Sequence, residues 1–308
     1  MRKFLPFLFA AALASSCIDN AYDLSNVNTD DVTIGDEDSE YRLALATVYV
    51  SMSELNEGGA DIKTLFDEAD IWLPSPLPGN AAYVDLRELQ NTPETITPLL
   101  DALIDQMMDD DAKITAVADL LAEKYLSTFL PLLPPNTDPA DFKPVFIEAF
   151  RNMPMLHDRL SGEVKSLAGS YLTELKVQDV TYDIGKIDIG GDVVDMLCEN
   201  LDSEGTPNPK NTLHLYGSIT SALPVSLRLV PYFSPTNVRF DVTVEPGKTN
   251  EIRETQLFES DLRQIIEGAE IILPVSLEKY YPGYDFTSDQ QIVITLRLIK
   301  RGGLKLNL

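Results

Sequence analysis

The residues best suited to hold a ligand sit in Tyr280-Tyr281-Pro282-Gly283-Tyr284-Asp285-Phe286. Tyr280, Tyr281, Tyr284 and Phe286 bring four rings around one Pro-Gly turn. Such rings stack on sugar faces or anchor a partner protein. The structural alternative is that they cover an open end of a sheet. Trp72 heads a stiff proline-rich stretch, Trp72-Leu73-Pro74-Ser75-Pro76-Leu77-Pro78-Gly79, and is a second candidate for ligand contact.

Other chemistry is thinly supplied. The histidines are His157 and His214, on a predicted helix and a predicted strand. Zinc wants three or four well-placed N or S ligands, so no metal site is assigned. Asp30, Asp31, Asp36, Glu37 and Asp38, and the loop Asp202-Ser203-Glu204-Gly205, carry hard oxygen ligands. Neither matches the spacing of an EF-hand loop, and a solvated acidic surface is the simpler expectation. There is no Gly-x-Ser-x-Gly elbow. Cys198 falls in an apolar helical stretch, where an inert buried thiol is expected. No motif calls for a cofactor, and no catalytic residue is assigned. A hydrolase built on two carboxylates leaves no sequence signature, because its test is a separation in space.

The N-terminus says where the chain goes. Met1-Arg2-Lys3 is followed by an apolar run from Phe4 to Ala14, then Ser15, Ser16 and Cys17. This is the layout of a signal peptide, expected to span 1–16. Its apolar run is about half the ~20 residues of a membrane span. Leu13-Ala14-Ser15-Ser16-Cys17 resembles a bacterial lipobox, with Leu13 one place early. Cleavage before Cys17 and lipidation of its sulfur are what that resemblance implies. Residues 17–30, Cys17-Ile18-Asp19-Asn20-Ala21-Tyr22-Asp23-Leu24-Ser25-Asn26-Val27-Asn28-Thr29-Asp30, resemble the start of Bacteroidetes envelope lipoproteins. In that largely uncharacterised family a lipidated Cys is followed by a Tyr-Asp-Leu-Ser motif. The resemblance implies an outer-membrane location, with the cell surface as the expected face, and a β-rich fold.

The formal charge is −25, and losing Arg2 and Lys3 with the leader takes it to −27. That balance excludes nucleic acid as an expected partner and disfavours anionic lipid surfaces. The membrane is reached through the N-terminal lipid instead. The apolar content, 44%, is enough for a real core.

The elements that must position the rings read as follows. Residues 17–40 form a lipidated acidic tether. Residues 41–96 form a β/mixed segment with a strand at 41–51, a short turn of helix from Ser53 to Asn56, and a helix at 61–71 capped by Asp61. Residues 97–171 form a small helical bundle, opened by Thr97 as N-cap with Pro98 following. Residues 172–308 alternate, with strands expected at 172–182, 213–219, 225–232, 238–244, 251–258, 270–277, 292–299 and 304–308. Short helices are expected at 192–201 and at 261–267, the latter capped by Ser260. The fold class is α+β: an antiparallel β-sandwich-like domain with an inserted or adjacent small helical bundle. An echo between Tyr22-Asp23-Leu24 and Tyr182-Asp183-Ile184 leaves two readings equally open: one β domain interrupted by the helices, or two separate domains. The leading function is non-catalytic binding or assembly at the envelope. A glycan-capture module and a carboxylate-based hydrolase are the alternatives.

Overall fold

A computed structural model describes residues 32–51, 54, 61–177, 179–236, 238–287 and 289–306. The leader, Cys17, the Tyr22 motif, Asp30, Asp31 and the Ser53–Asn56 turn lie wholly or mostly outside the described residues. The fold is α+β. Among the described residues it has nine helices and antiparallel sheets of two, three, four and four strands, and no sheet closes into a barrel.

The longest strands build the first four-stranded sheet. β2 (Glu40–Ser51), β12 (Gln291–Arg301), β5 (Thr212–Ser221) and β9 (Thr249–Leu257) lie side by side in that order. β12 alternates strictly: Ile292, Ile294, Leu296 and Leu298 are buried while Val293, Thr295 and Arg297 turn outward. The same register puts Lys300 on the inner face, so the strand runs past the predicted end at 299. Its ammonium is satisfied by the carbonyls of Arg301 (2.9 Å) and Gly303 (3.3 Å), and burial lowers its pKa to about 8. A Cβ on Gly217 would lie 2.0 Å from the Thr295 carbonyl oxygen, so the close approach at this bulge requires glycine.

The second four-stranded sheet is β3 (Val84–Asp85), β11 (Val275–Tyr280), β6 (Val225–Leu229) and β8 (Val242–Val244). A three-stranded sheet holds β4 (Val180–Asp183), β10 (Glu270–Leu273) and β7 (Tyr232–Ser234). Two strands expected to be continuous are therefore divided. The predicted 225–232 strand splits into β6 and β7 around Pro231, and 270–277 splits into β10 and β11 at Pro274. Proline has no N–H for a ladder. At these two points the paired strands leave one sheet and join another, β7 on β10 and β6 on β11. β1 (Val32–Ile34) pairs with β13 (Leu304–Leu306). The strands before and after the helices thus share sheets, β2 with β12 and β3 with β11.

The helices are α1 (Ile62–Trp72), α2 (Leu86–Asn91), α3 (Thr97–Asp109), α4 (Asp111–Lys124), α5 (Leu126–Phe129), α6 (Phe142–Asn152), α7 (Pro154–Glu174), α8 (Gly191–Cys198) and α9 (Glu259–Gly268). Asp61 caps α1 by accepting from Lys63 N, and Asp110 caps α4 by accepting from Ala112 N and Lys113 N. Thr97 is not a cap: a 3-10 turn over Pro93–Ile96 runs straight into α3. Ser260 is not one either. It lies inside α9, whose first turn is closed by Asp261 Oδ2 accepting from Phe258 N at 3.1 Å. Helix α7 continues through Leu172, where a strand was expected. Leu160, Val164, Ala168 and Leu172 recur every fourth residue and all are fully buried, so the helical period carries the stretch into the core. Helices α1, α3, α4, α6 and α7 pack on one another, and one apolar core runs from them into the sheets.

Candidate functional site

Strand β11 delivers the aromatic segment. Its six residues end at Tyr280, and the chain then turns through Pro282 and Gly283, whose φ is 80°. Proline second and a positive-φ glycine third is the arrangement of a type II turn. The loop between β8 and β9 repeats it as Glu245-Pro246-Gly247-Lys248, with Gly247 at φ 65° and Lys248 N donating to the Glu245 carbonyl at 3.2 Å. The two Pro-Gly turns flank a groove of about 500 Å³. The outer residues of both turns, Glu245, Lys248, Tyr281 and Tyr284, line it, together with Asp285 and Gln290. That volume falls within the ~300–1,000 Å³ of small-ligand sites.

The four predicted rings separate. Tyr281 and Tyr284 line the groove, and Tyr284 is 65% exposed. Tyr280 and Phe286 are buried and belong to the core, which corrects their expected role in ligand contact. Both lie against Phe66 of α1 with ring centroids 4.7 Å apart, Phe286 stacked and Tyr280 tilted. Burying aromatic surface outweighs leaving it exposed once such partners are present. Trp72 is corrected in the same way. It ends α1 with no exposed surface and packs near Tyr125. Its neighbours supply the loop, and the ring itself is core.

Tyr83 is the ring that sequence reasoning missed. It is 39% exposed, its centroid lies 5.5 Å from that of Tyr281, and Lys279 Nζ sits 4.8 Å above it. Glu245 was also missed. It accepts from the Tyr281 hydroxyl at 3.2 Å and from Lys279 Nζ at 3.5 Å. Burial raises its pKa, but the Ser226 hydroxyl, the Lys279 charge and Tyr281 outweigh that, and the carboxyl is held below its ordinary value. The one available sequence signal is the second x-Pro-Gly-x stretch, Glu245-Pro246-Gly247-Lys248.

A second groove, about 450 Å³, lies on the other flank of the Tyr281–Tyr284 turn. Pro282 and Gly283 line it on one side, and Leu73, Pro76 and Ala81 on the other, with Asp70 reaching in from α1. Asp70 Oδ1 accepts from the Tyr280 hydroxyl at 2.7 Å, and Gly283 N–H also donates to the carboxylate. Burial raises the Asp70 pKa despite those donors and the nearby Lys113. Lys113 donates to the carbonyls of Asp70 and Leu73, so it caps the end of α1. A third depression of about 150 Å³ shares Leu77 and Ala81 with the second and is bordered by Tyr83.

The remaining candidates are structural. His157 lies edge-on to Phe150, and His214 sits on β5 beside Arg301. Among the described residues no group of three His, Cys, Asp or Glu side chains is placed to share a metal ion. Asp202 accepts from Lys210 N and Asn211 N at 2.7 and 2.9 Å, and Asp36 accepts from Asp38 N and Ser39 Oγ. Both acidic stretches thus use carboxylates to close their own loops. Cys198 is buried, and burial raises its thiol pKa to about 11.

No family model matches the chain, and no curated protein matches it. Among solved structures the chain has a distant likeness to a protein of Parabacteroides distasonis described as secreted. Identity is 18% and the TM-score 0.30, over 41% of this chain and 38% of that one. The match therefore spans well under half of that protein, and it assigns no family. No described helix is long and apolar enough to cross a membrane.

Proposed function

We propose that this chain is a lipid-anchored outer-membrane protein with a non-catalytic binding role, and that its ligand is a glycan taken by the groove between the two Pro-Gly turns. The observation that carries this is the pairing of an exposed ring, Tyr284, and a half-buried one, Tyr281, with a polar rim. Tyr281 and Tyr284 offer faces for the C–H side of a sugar, while Glu245, Asp285, Gln290 and Lys248 offer hydrogen-bond partners for its hydroxyls. Glu245, held towards the ionised form, is an acceptor for a ligand hydroxyl. Protein assembly is less well supported, because the exposed large apolar residues Tyr49, Met108 and Met155 are scattered over separate elements. Anchoring rests on the lipobox-like stretch ending at Cys17.

The test is a glycan array probed with the full chain and with the Tyr281→Ala/Tyr284→Ala variant. A loss of affinity of tenfold or more, about 1.4 kcal/mol, with an unchanged melting temperature is expected. Equal binding by the variant overturns the site. Cys17→Ala should move the protein from the membrane fraction to the soluble fraction; retention in the membrane overturns the anchor.

A further inference from the structure

We propose that the groove is one subsite of a longer track, and that the ligand is a linear, uncharged glycan chain held along its length. This deepens the glycan reading above and rests on it. Two depressions flank the Tyr281–Tyr284 turn, and a third adjoins the second. The first and second have linings that join through the bonded pairs Tyr281–Pro282 and Gly283–Tyr284. The second and third share Leu77 and Ala81. Tyr83 borders the third and contacts the ring of Tyr281, which lines the first. A site for one terminal sugar needs one enclosed pocket. Here the exposed rings of Tyr83 and Tyr284 lie at separate stations, the arrangement that suits successive sugars of a chain.

Charge selects within that class. Glu245 is matched by Lys279, and the Asp70 carboxylate is already bonded to Tyr280 and Gly283. The first groove is lined by one cation, Lys248, with Glu245 and Asp285 beside it; among the described residues no cation lines the second or third depression, and the chain carries a formal charge of −25. A polyanionic glycan meets repulsion from the whole molecule. Uncharged sugars need only the donors and acceptors present.

The experiment is calorimetric titration of the full chain with neutral glucan and mannan oligosaccharides, from disaccharide to hexasaccharide, and with polygalacturonate. Affinity should rise by about tenfold or more from disaccharide to hexasaccharide. Tyr83→Ala should remove most of that gain, with a smaller loss for the disaccharide through the Tyr281 ring it supports, and Tyr83→Phe, which keeps the ring, should retain it. Polygalacturonate should bind at least tenfold more weakly than the best neutral chain. Equal affinity for short and long chains, or an unaffected Tyr83→Ala, overturns the track and leaves the glycan site standing. Tighter binding of polygalacturonate overturns the selection for uncharged chains. Failure of every sugar to bind, with binding of an extended peptide instead, overturns the glycan reading itself.

Discussion

On the inner side of the Tyr281–Tyr284 turn, Tyr280 and Phe286 close on Phe66, and the Tyr280 hydroxyl reaches Asp70. On the outer side, Tyr281 and Tyr284 face a groove, and the Tyr281 hydroxyl reaches Glu245. Each side pairs tyrosine with a carboxylate, yet the two pairs behave differently. Burial dominates at Asp70 and raises its pKa, whereas donors and Lys279 dominate at Glu245 and lower it. Similar side chains within one short segment therefore divide into an anchor and a contact surface. What divides them is which other elements arrive: helix α1 on one side, only loops on the other.

The comparison is broken most severely by Phe66→Ala. That change removes the ring on which both inner aromatics rest and should cost about 3–5 kcal/mol in denaturant unfolding. A loss under ~1 kcal/mol would show that α1 does not anchor the turn. Tyr280→Phe is a finer cut. It keeps the ring and deletes the hydroxyl, so stability should fall by about 1–2 kcal/mol. Glycan affinity should stay within about twofold, and a large drop would mean that the two sides are coupled.

The smallest effect is in the pH dependence of stability. The folded pKa of Asp70 is raised, so its contribution is present at acid pH and is lost as pH rises through the carboxylate range. Glu245 is lowered, so its contribution is present above its unfolded pKa and is lost on acidification. Melting temperatures between about pH 5 and about pH 3 should therefore fall less steeply in Glu245→Gln and more steeply in Asp70→Asn than in the parent chain. Parallel curves would contradict both assignments.

Much of the scaffold was legible because its signals are local. Asp61 and Asp110 cap helices through the next two or three residues, and the alternation of β12 is visible in one stretch. Lys300 shows the limit of residue type: the period places it inside, although lysine suggests a surface. The strand divisions at Pro231 and Pro274 had a local cause as well, since proline interrupts a ladder, but the change of sheet depends on the partner strand. The site was half legible. The Tyr-Pro-Gly-Tyr turn marked itself, but Tyr280 lies 210 residues from Asp70, and Tyr281 lies 36 from Glu245. Which rings turn inward is settled only when α1 docks, and Trp72 follows the same rule.

Strand β12 fixes a direction as well as a register. Gln291 leaves the groove loops, and Arg301, ten residues on, reaches the corner where β1 pairs with β13. At about 3.3 Å per residue the two ends stand roughly 33 Å apart. The described chain begins at β1, at the Arg301 end. The strand is thus a spacer that sets the open tyrosines of the groove a full sheet length away from where the described chain enters the fold.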